Sequence, residues 1–408
     1  MIGMLRVLRN TDPGAPVMNG LQGTLINFLD YVLLTGYHTI SVDTITSSGV
    51  VATVHVADAH EMDNGMVVEI SGADQAEYNG LFKINNCTNN AFEYTLLSAA
   101  PVTTATGIIS STIASLGWVG GLSDINKKVY SPASGFPLYK IDENPVSSIN
   151  ITYGGGTRHA RVFMYESMLD VDHGIPDNLW NSYIYKSRTQ DDLERAWIVI
   201  GDGETAYIFI SHSTSIDTDQ YYSFMAFGKY TSFVANDSFN YLLMAKHGLA
   251  PVGESEDVYL QASNEVTDQY SSALILYGCG KIFTATQKEG SYLLRNRILQ
   301  EGLTAFLLSN AVSSSEISNW VYSMTNLGLF NKINAEKYYR PVLLFEPDAF
   351  RGYLSGVYYG IYPISLPTPS STSIISNCII NGTPRDILTI RGGSAILYCI
   401  DITGPWGI

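Results

Sequence analysis

The sequence predicts a mainly β protein: a β-sandwich-like body with an N-terminal helix and an inserted small all-β domain. Three observations predict this fold class. Short runs of alternating apolar and polar residues are separated by turn signals roughly every 8–15 residues. The 408 residues include 27 tyrosines and 36 glycines, a composition typical of strands joined by tight turns. Strong helical periodicity occurs in one stretch near the N-terminus.

The composition also excludes classes of function. The chain has 23 basic and 38 acidic side chains, which give a formal net charge of −15 at pH 7. A net-acidic surface repels phosphates, so nucleic acid is not expected as the main partner. The longest apolar stretch, residues 21–40, is interrupted by polar residues and Gly36, and we therefore expect no membrane span.

The cysteines and the N-terminus predict the compartment. Cys87, Cys279, Cys378 and Cys399 lie too far apart for a CxxC metal site or a dense disulfide framework. This spacing favours reduced thiols in a protein assembled in a cytoplasm. Residues 1–10 carry two arginines, but the apolar segment of a signal peptide does not follow them. We therefore expect no export signal.

Residues 1–40 are predicted to contribute a strand and a helix to the main body. Residues 1–10 alternate as a strand does, and residues 11–14 form a turn. Asn19 is the expected N-cap, and Gly36 stands where the residue after the helix should be. Between them, apolar side chains recur at helical spacing and predict a face that packs on a sheet: Leu21, Leu25, Phe28, Leu29, Val32 and Leu33.

Residues 41–111 are predicted to form the inserted β-domain. Segments rich in serine and threonine, residues 44–49 and 110–115, are expected to bound it as flexible flanks. The helix before the domain and the strands after it belong together, which predicts an insertion that folds on its own. Turn residues such as Asn79 and Gly80 tolerate positive φ and separate four predicted strands, at residues 50–56, 66–70, 81–84 and 92–96.

Residues 112–250 are predicted to form the main β body, and its clearest element is a hairpin over residues 197–210. Every strand position in this hairpin is apolar, which predicts a central pair buried on both faces. Gly203 is expected to have a positive φ in a type I′ turn. Period-2 alternation places Trp197, Val199, Tyr207 and Phe209 on one face, and Ile198, Ile200, Ile208 and Ile210 on the other.

Residues 251–408 are predicted to be a mostly β C-terminal region. A second hairpin is predicted over residues 273–286 and one short helix over residues 316–322. Further strands are predicted at residues 342–345, 356–362, 387–390 and 395–400.

The best metal candidate is the loop that contains Asp170, Asp172 and His173. Alternating carboxylates can offer oxygens to a hard cation, and the histidine can add a nitrogen. The loop lacks the glycine and the bidentate glutamate of an EF-hand. The pattern favours a solvated loop whose side chains bond to the local backbone, and no metal is expected.

Other candidate motifs are incomplete. Residues 154–157 are glycine-rich, but a strand and not a helix is predicted after them, so a hairpin turn is favoured over a phosphate-binding loop. Signatures of serine nucleophiles are absent. The seven histidines do not show ligand spacing: His38, His55, His60, His159, His173, His212 and His247.

Two acidic groups can serve glycoside hydrolysis only if a cleft brings two carboxylates together. They are Asp191 with Asp192, and Glu254 with Glu256 and Asp257. Acidic side chains on loops are usually solvated. We therefore expect no catalytic, cofactor-binding or metal-binding residues, and we predict that the chain is not an enzyme.

Pairs of adjacent tyrosines occur at residues 221–222, 338–339 and 358–359. Neighbours in a strand point to opposite faces, so one tyrosine of each pair is expected in the core and the other at the surface. Exposed tyrosine is favoured in protein–protein contacts.

The inserted domain contains several short motifs: residues 54–56, His60, and residues 65–73, 77–84 and 90–94. They resemble the small β-modules that recur in tail and other structural proteins of bacteriophages, whose pattern is HGL…GD-V-ISGA…YNG-F-I…FTY. A second set of motifs lies on both sides of the domain, at residues 8–16, 19–30, 34–37, 117–118, 126–130, 158–166 and 197–209. This set resembles the start of a family of phage structural proteins in which the helix leads straight into a Gly-Trp…Lys-x-x-Tyr segment.

The resemblance covers about residues 5–215 and implies that residues 41–111 are an insertion. It implies a non-enzymatic structural component of a tailed-bacteriophage virion, assembled in the host cytoplasm, with a place in the tail or baseplate. The expected partners are other virion proteins and copies of the chain itself. Two alternatives stay open: a capsid decoration or collar protein, and a tail protein that binds host-surface glycans.

Overall fold

The computed structural model describes most of the first 247 residues and shorter stretches beyond them. The described residues are 4–145, 156–175, 182–187, 189–211, 222–237, 240–247, 272–276, 282–283, 306–307, 338–346, 349–361, 372–380, 382–391 and 397–406. They form a mainly β fold with a helix near the N-terminus, which confirms the predicted fold class. None of the helices in these stretches is long and apolar enough to cross a membrane.

The main sheet has 12 antiparallel strands, numbered here in chain order. Along its path it contains β1 (Arg6–Arg9), β16 (Trp197–Gly201), β17 (Thr205–Ser211), β18 (Tyr222–Lys229), β20 (Tyr241–His247), β15 (Ser182–Tyr185), β12 (His159–Tyr165), β11 (Leu138–Asp142), β10 (Lys127–Ser131) and β9 (Val119–Asp124). β21 (Ser272–Leu276) pairs with β20 and with β22 (Ile282–Phe283), which confirms the strands of the second predicted hairpin.

A seven-stranded sheet comes from the C-terminal region. Its order is β23 (Phe306–Leu307), β24 (Tyr338–Glu346), β25 (Ala349–Ile361), β28 (Leu397–Asp401), β27 (Thr383–Arg391) and β26 (Thr372–Ile380), with β19 (Thr231–Ser232) paired to β25. Each of the four strands predicted beyond residue 340 overlaps one of these strands, whereas the helix predicted at 316–322 lies outside the described residues. A separate small hairpin joins β13 (Ser167–Met168) to β14 (Gly174–Ile175).

The inserted segment forms two small sheets. One has the order β2 (Tyr37–Ser41), β8 (Gly107–Ile113), β5 (Val67–Ala73) and β6 (Gly80–Lys83), and the other β3 (Thr44–Ser48), β4 (Val51–His55) and β7 (Ala91–Thr95). A 3-10 turn (Ala76–Tyr78) precedes β6.

The expectation of flexible flanks around this domain is wrong, because they lie in β3 and β8. Their hydroxyl residues alternate with apolar ones, and the buried side chains of Ile45, Ile109 and Ile113 fix each strand. After β8 the chain returns to the N-terminal helical segment, where Leu116 N–H donates to the carbonyl of Val32 at 2.8 Å. The two ends of the inserted segment therefore lie side by side.

The N-terminal helix is shorter than predicted. Helix α1 (Thr24–Leu29) continues into a π-helical segment (Asp30–Thr35), and Asn19 is not its cap. The side-chain oxygen of Asn19 instead accepts the N–H of Leu21 at 2.9 Å, so a local turn replaces the first predicted helical turn. Gly36 ends the segment at a φ of 73°. A Cβ at this position would lie 2.2 Å from the carbonyl oxygen of Ile113, so the close passage of β8 requires glycine.

The hairpin β16–β17 is a central pair with both faces buried, as predicted. The predicted grouping of its side chains is wrong, because Trp197 pairs with Ile210 and Val199 with Ile208. Two residues lie between Asp202 and Thr205 in the connection. As a result, odd-numbered residues of β16 pair with even-numbered residues of β17, and paired residues lie on the same side of the sheet. One face therefore carries Trp197, Val199, Ile208 and Ile210, and the other Ile198, Ile200, Tyr207 and Phe209.

The turn of this hairpin also differs from the prediction, because Gly203 does not have a positive φ. Oδ1 of Asp202 closes the turn by accepting the N–H groups of Glu204 at 2.8 Å and Thr205 at 2.9 Å. The carbonyl of Gly203 accepts the N–H of Ala133 at 2.7 Å, and a Cβ at 203 would lie 3.2 Å from Cβ of Ala133. Contact with a neighbouring loop therefore favours glycine here.

Each face of the hairpin packs on a different layer. On one face, the ring of Trp197 meets Phe28 of α1 edge to face, with ring centroids 4.9 Å apart. On the other, the Tyr207 hydroxyl donates to the carbonyl of Ser355 at 2.8 Å, beside Leu354 and Val357 of the C-terminal sheet. The hairpin is thus the middle layer between the N-terminal helix and that sheet.

We predict that Ile208→Asp destabilises the protein by at least about 4 kcal/mol, because it buries a carboxylate in an apolar layer. Ile125→Asp is the control: Ile125 is 79 % exposed at the turn between β9 and β10, and a surface change of this kind shifts stability by about 0.5 kcal/mol or less. Denaturant unfolding followed by tryptophan fluorescence measures both. Equal stability of the two variants would contradict the central position of β17.

We also predict that residues 37–115 fold when expressed alone, because both small sheets are complete within them. Their core includes the rings of Phe82 and Tyr94, whose centroids are 4.2 Å apart. The expected NMR spectrum has dispersed amide signals with β-type shifts. A collapsed spectrum would show that the domain depends on its contacts with the body.

Candidate functional site

The loop offered as a metal site lies between β13 and β14. Oδ1 of Asp170 accepts the N–H of Asp172 at 2.8 Å, and Nδ1 of His173 lies 2.8 Å from the same oxygen. Asp172 forms ion pairs with Lys127 at 2.8 Å and with Lys140 at 2.9 Å. The two lysines lower the pKa of Asp172 to about 2. The two carboxylates therefore contact separate partners, and the loop is tied to β10 and β11.

The glycine-rich segment considered as a phosphate-binding loop also lies in structural contacts. Of the glycine-rich residues 154–157, only the last two are described: Gly156 has a φ of 86°, and the Thr157 hydroxyl donates to the carbonyl of Gly20 at 2.5 Å. A strand, β12, follows them, as predicted. No cluster of three or more His, Cys, Asp or Glu side chains suited to a metal occurs within the described part of the chain.

Of the acidic groups considered for hydrolysis, only Asp191 and Asp192 are described. Asp191 pairs with the buried guanidinium of Arg195 at 2.7 Å and accepts the hydroxyl of Thr189. Hydrogen bonding to Thr189, and then to Arg195, lowers the pKa of Asp191. Asp192 is exposed. The group at residues 254–257 lies outside the described residues.

The tyrosine pairs are described only in part. Tyr358 is half-buried, and burial raises its pKa to about 12. Tyr358 and Tyr359 pair with Cys399 and Tyr398 of β28, so they occupy successive strand positions, as expected.

The most deeply buried charges were missed by the sequence interpretation. Glu143, just after β11, and Lys186, just after β15, form an ion pair in which neither side chain is exposed to solvent. Nζ of Lys186 also donates to the carbonyl of Leu21 at 2.6 Å. The Glu143 carboxylate accepts the N–H of Leu25 at 3.3 Å and of Ile26 at 2.8 Å. It thereby caps the first turn of α1 from a distant part of the chain.

Electrostatics explains why these charges need each other. Burial lowers the pKa of Lys186, while the adjacent Glu143 carboxylate favours the charged ammonium and opposes that shift. The carboxylate has three close donors, which are the ammonium and two helix N–H groups. The Gln22 side chain extends the cluster by donating to the backbone carbonyl of Glu143 at 3.2 Å. Residues so far apart in sequence give no local signal of such a pair.

A second buried cluster surrounds Glu204, in the turn between β16 and β17. The carboxylate of Glu204 accepts the N–H and the hydroxyl of Ser134 and the hydroxyl of Tyr241, each at 2.9 Å. Burial raises the pKa of Tyr241 to about 12. The cluster joins the loop before β11 to β17 and β20. Both oxygens of the Glu204 carboxylate accept hydrogen bonds in it.

Taken together, the clusters act chemically as cross-links. Each joins elements that are distant along the chain: α1 with β11 and β15, the β13–β14 loop with β10 and β11, and the π-helical segment with β10 through Asp30 and Lys128 at 2.7 Å. Carboxylates engaged by lysine or arginine in this way hold strands in place.

Several exposed apolar side chains lie close together in the loops of the inserted domain. We call this region the module tip and define it as residues 48–51 and 97–104. Its exposed apolar side chains are Val50, Val51, Leu97 and Val102. A cleft of about 530 Å³ begins beside Leu97 and runs between the inserted domain and the C-terminal segment, where it is lined by Leu5, Leu81, Phe82, Ile402 and Pro405, among others.

Comparison with known proteins gives little more. No family model matches the chain, and no curated protein matches its sequence. Among solved structures, the chain is similar to the phage phi92 endosialidase, with a TM-score of 0.16 and 11% identity over 90% of this chain and 70% of that one. A TM-score this low does not establish a shared fold, so this similarity carries no functional argument.

We predict that Lys186→Met destabilises the protein by about 3–5 kcal/mol, because it leaves the Glu143 carboxylate buried without its counter-ion. Adding Glu143→Gln should recover at least half of that loss, since the amide is uncharged and its oxygen still accepts a helix N–H. Denaturant unfolding of both variants measures the difference. A loss below about 1 kcal/mol in the single variant would show that water reaches the pair.

Proposed function

We propose that the protein is a non-enzymatic structural component of a tailed-bacteriophage virion, in the tail or baseplate. The motif resemblance over about residues 5–215 supports the virion assignment. Its partners are other virion proteins and copies of itself, and it is assembled in the host cytoplasm before it enters the particle. Only 15% of the residues are charged, the net charge is negative, and the chain contains 27 tyrosines. This composition suits a component that assembles through protein–protein contacts.

The observation that carries the structural role is the use of charged groups as internal cross-links. The carboxylates of Glu143, Asp172 and Glu204 each bind groups from two or more elements of the fold. A particle component has to keep its shape while its neighbours assemble on it, and fully hydrogen-bonded polar networks make a fold specific and rigid. Of the two described acidic residues that were considered for catalysis, Asp191 forms an ion pair with Arg195 and Asp192 is exposed at the surface.

Locating the chain in intact particles tests this function. Antibodies against the purified protein, applied to particles of the phage that encodes it, are expected to label the tail or its end in negative-stain images. Mass spectrometry of density-purified particles should detect the chain. Label on the head or neck would support a decoration or collar protein instead, and a chain found only in the lysate would contradict a virion role.

The non-enzymatic part needs its own measurement. Incubation of the purified protein with host-cell polysaccharide is expected to release no new reducing ends. Release that is lost in an Asp191→Asn, Asp192→Asn double variant would contradict this part of the proposal, and it would place hydrolysis at the β15–β16 connection.

A further inference from the structure

Charge is distributed unevenly along this chain. Residues 94–123 contain no Asp, Glu, Lys or Arg, and neither do residues 44–54, although the whole chain has 61 such side chains. The structure brings these two segments together, because Leu96 N–H donates to the carbonyl of Val50 at 2.8 Å and Ser47 N–H to that of Thr103 at 2.7 Å. The module tip is where they meet, and it therefore carries no charge.

The apolar side chains of the tip are exposed on a well-supported loop. Leu97 is 87% exposed, Val102 46%, and Val50 and Val51 42% each. The fully buried Tyr78 supports the loop from below: its hydroxyl donates to the carbonyl of Val102 at 2.7 Å and contacts the Ser47 hydroxyl at 2.7 Å. A loop fixed in this way loses little entropy on binding, which favours a contact surface.

We propose that the module tip is a contact surface between two copies of this chain. This inference rests on the proposed function and names the partner and the surface through which the protein assembles. Each copy has a net charge of −15, so most pairs of surfaces would bring like charges together. The tip meets its own copy without any like-charge contact, and exposed apolar side chains supply the attraction.

The absence of lysine and arginine from the module tip argues against two other kinds of partner. A membrane surface rich in anionic lipid is bound through clustered lysine and arginine, and the tip has neither. The same lack excludes strong binding of an acidic partner. Leu97 also lines the adjoining cleft, whose wall is mainly apolar but includes Lys83, Thr95 and Thr403, and this cleft gives a partner side chain a concave place to pack.

The test compares Leu97→Asp with a matched control. Leu169→Asp introduces the same change at a side chain that is 86% exposed in the body, outside the tip. Sedimentation velocity of the full chain over a range of concentrations is expected to show reversible self-association of the parent and of Leu169→Asp. Leu97→Asp should weaken it at least about tenfold, and unchanged thermal melting shows that both variants are folded. Val102→Asp should behave as Leu97→Asp does.

Three outcomes would overturn the proposal. They are a parent protein that stays monomeric at every concentration, self-association that Leu97→Asp leaves unchanged, and equal weakening by Leu169→Asp. Co-sedimentation of a monomeric parent with phosphatidylcholine vesicles, lost in Leu97→Asp, would instead identify the tip as a membrane-inserting loop. Self-association is measured on purified protein, so its failure is distinct from a failure to find the chain in particles.

Discussion

The burial of both faces of the β16–β17 hairpin is the constraint on which the rest of the fold depends. A strand pair with apolar side chains on each face is stable only when two layers cover it. The N-terminal helix covers one face through Phe28 on Trp197, and the C-terminal sheet covers the other through Leu354 and Val357. Segments from the two ends of the chain must therefore meet at its middle. β1, from the first residues, lies in the same sheet and pairs with the outer edge of β16.

This requirement explains the buried ion pair. Docking α1 on the hairpin places its first N–H groups away from water, and unpaired N–H groups there would cost free energy. Glu143 satisfies two of them, and Lys186 then neutralises the buried carboxylate. A local cap such as the expected Asn19 would satisfy the helix alone, whereas Glu143 also joins it to β11 and β15. The charge is thus part of the tertiary structure.

The sequence predicted features that follow from local patterns and missed those set by distant contacts. Apolar runs gave the fold class, the doubly buried hairpin and most strands of the inserted domain. The register of that hairpin was missed because it depends on a two-residue connection closed by the Asp202 side chain. Ser110 and Thr112 suggested a flexible flank, but their neighbours Ile109 and Ile113 are buried between two sheets. Glu143 and Lys186 are 43 residues apart and gave no pattern at all.

The body and the inserted domain differ in the charge that they expose at the surface. In the body, acidic side chains such as Asp172 and Asp191 form ion pairs with lysine and arginine side chains. The excess of acidic charge, a net −15 over the chain, disfavours contact between the bodies of two copies. The inserted domain has the opposite character at its tip, because residues 97–104 lie within a stretch of thirty residues, 94–123, that contains no charged side chain. Because that domain leaves and rejoins the body at adjacent points, beside Gly36 and Leu116, it adds an uncharged apolar surface without disturbing the layers around the hairpin.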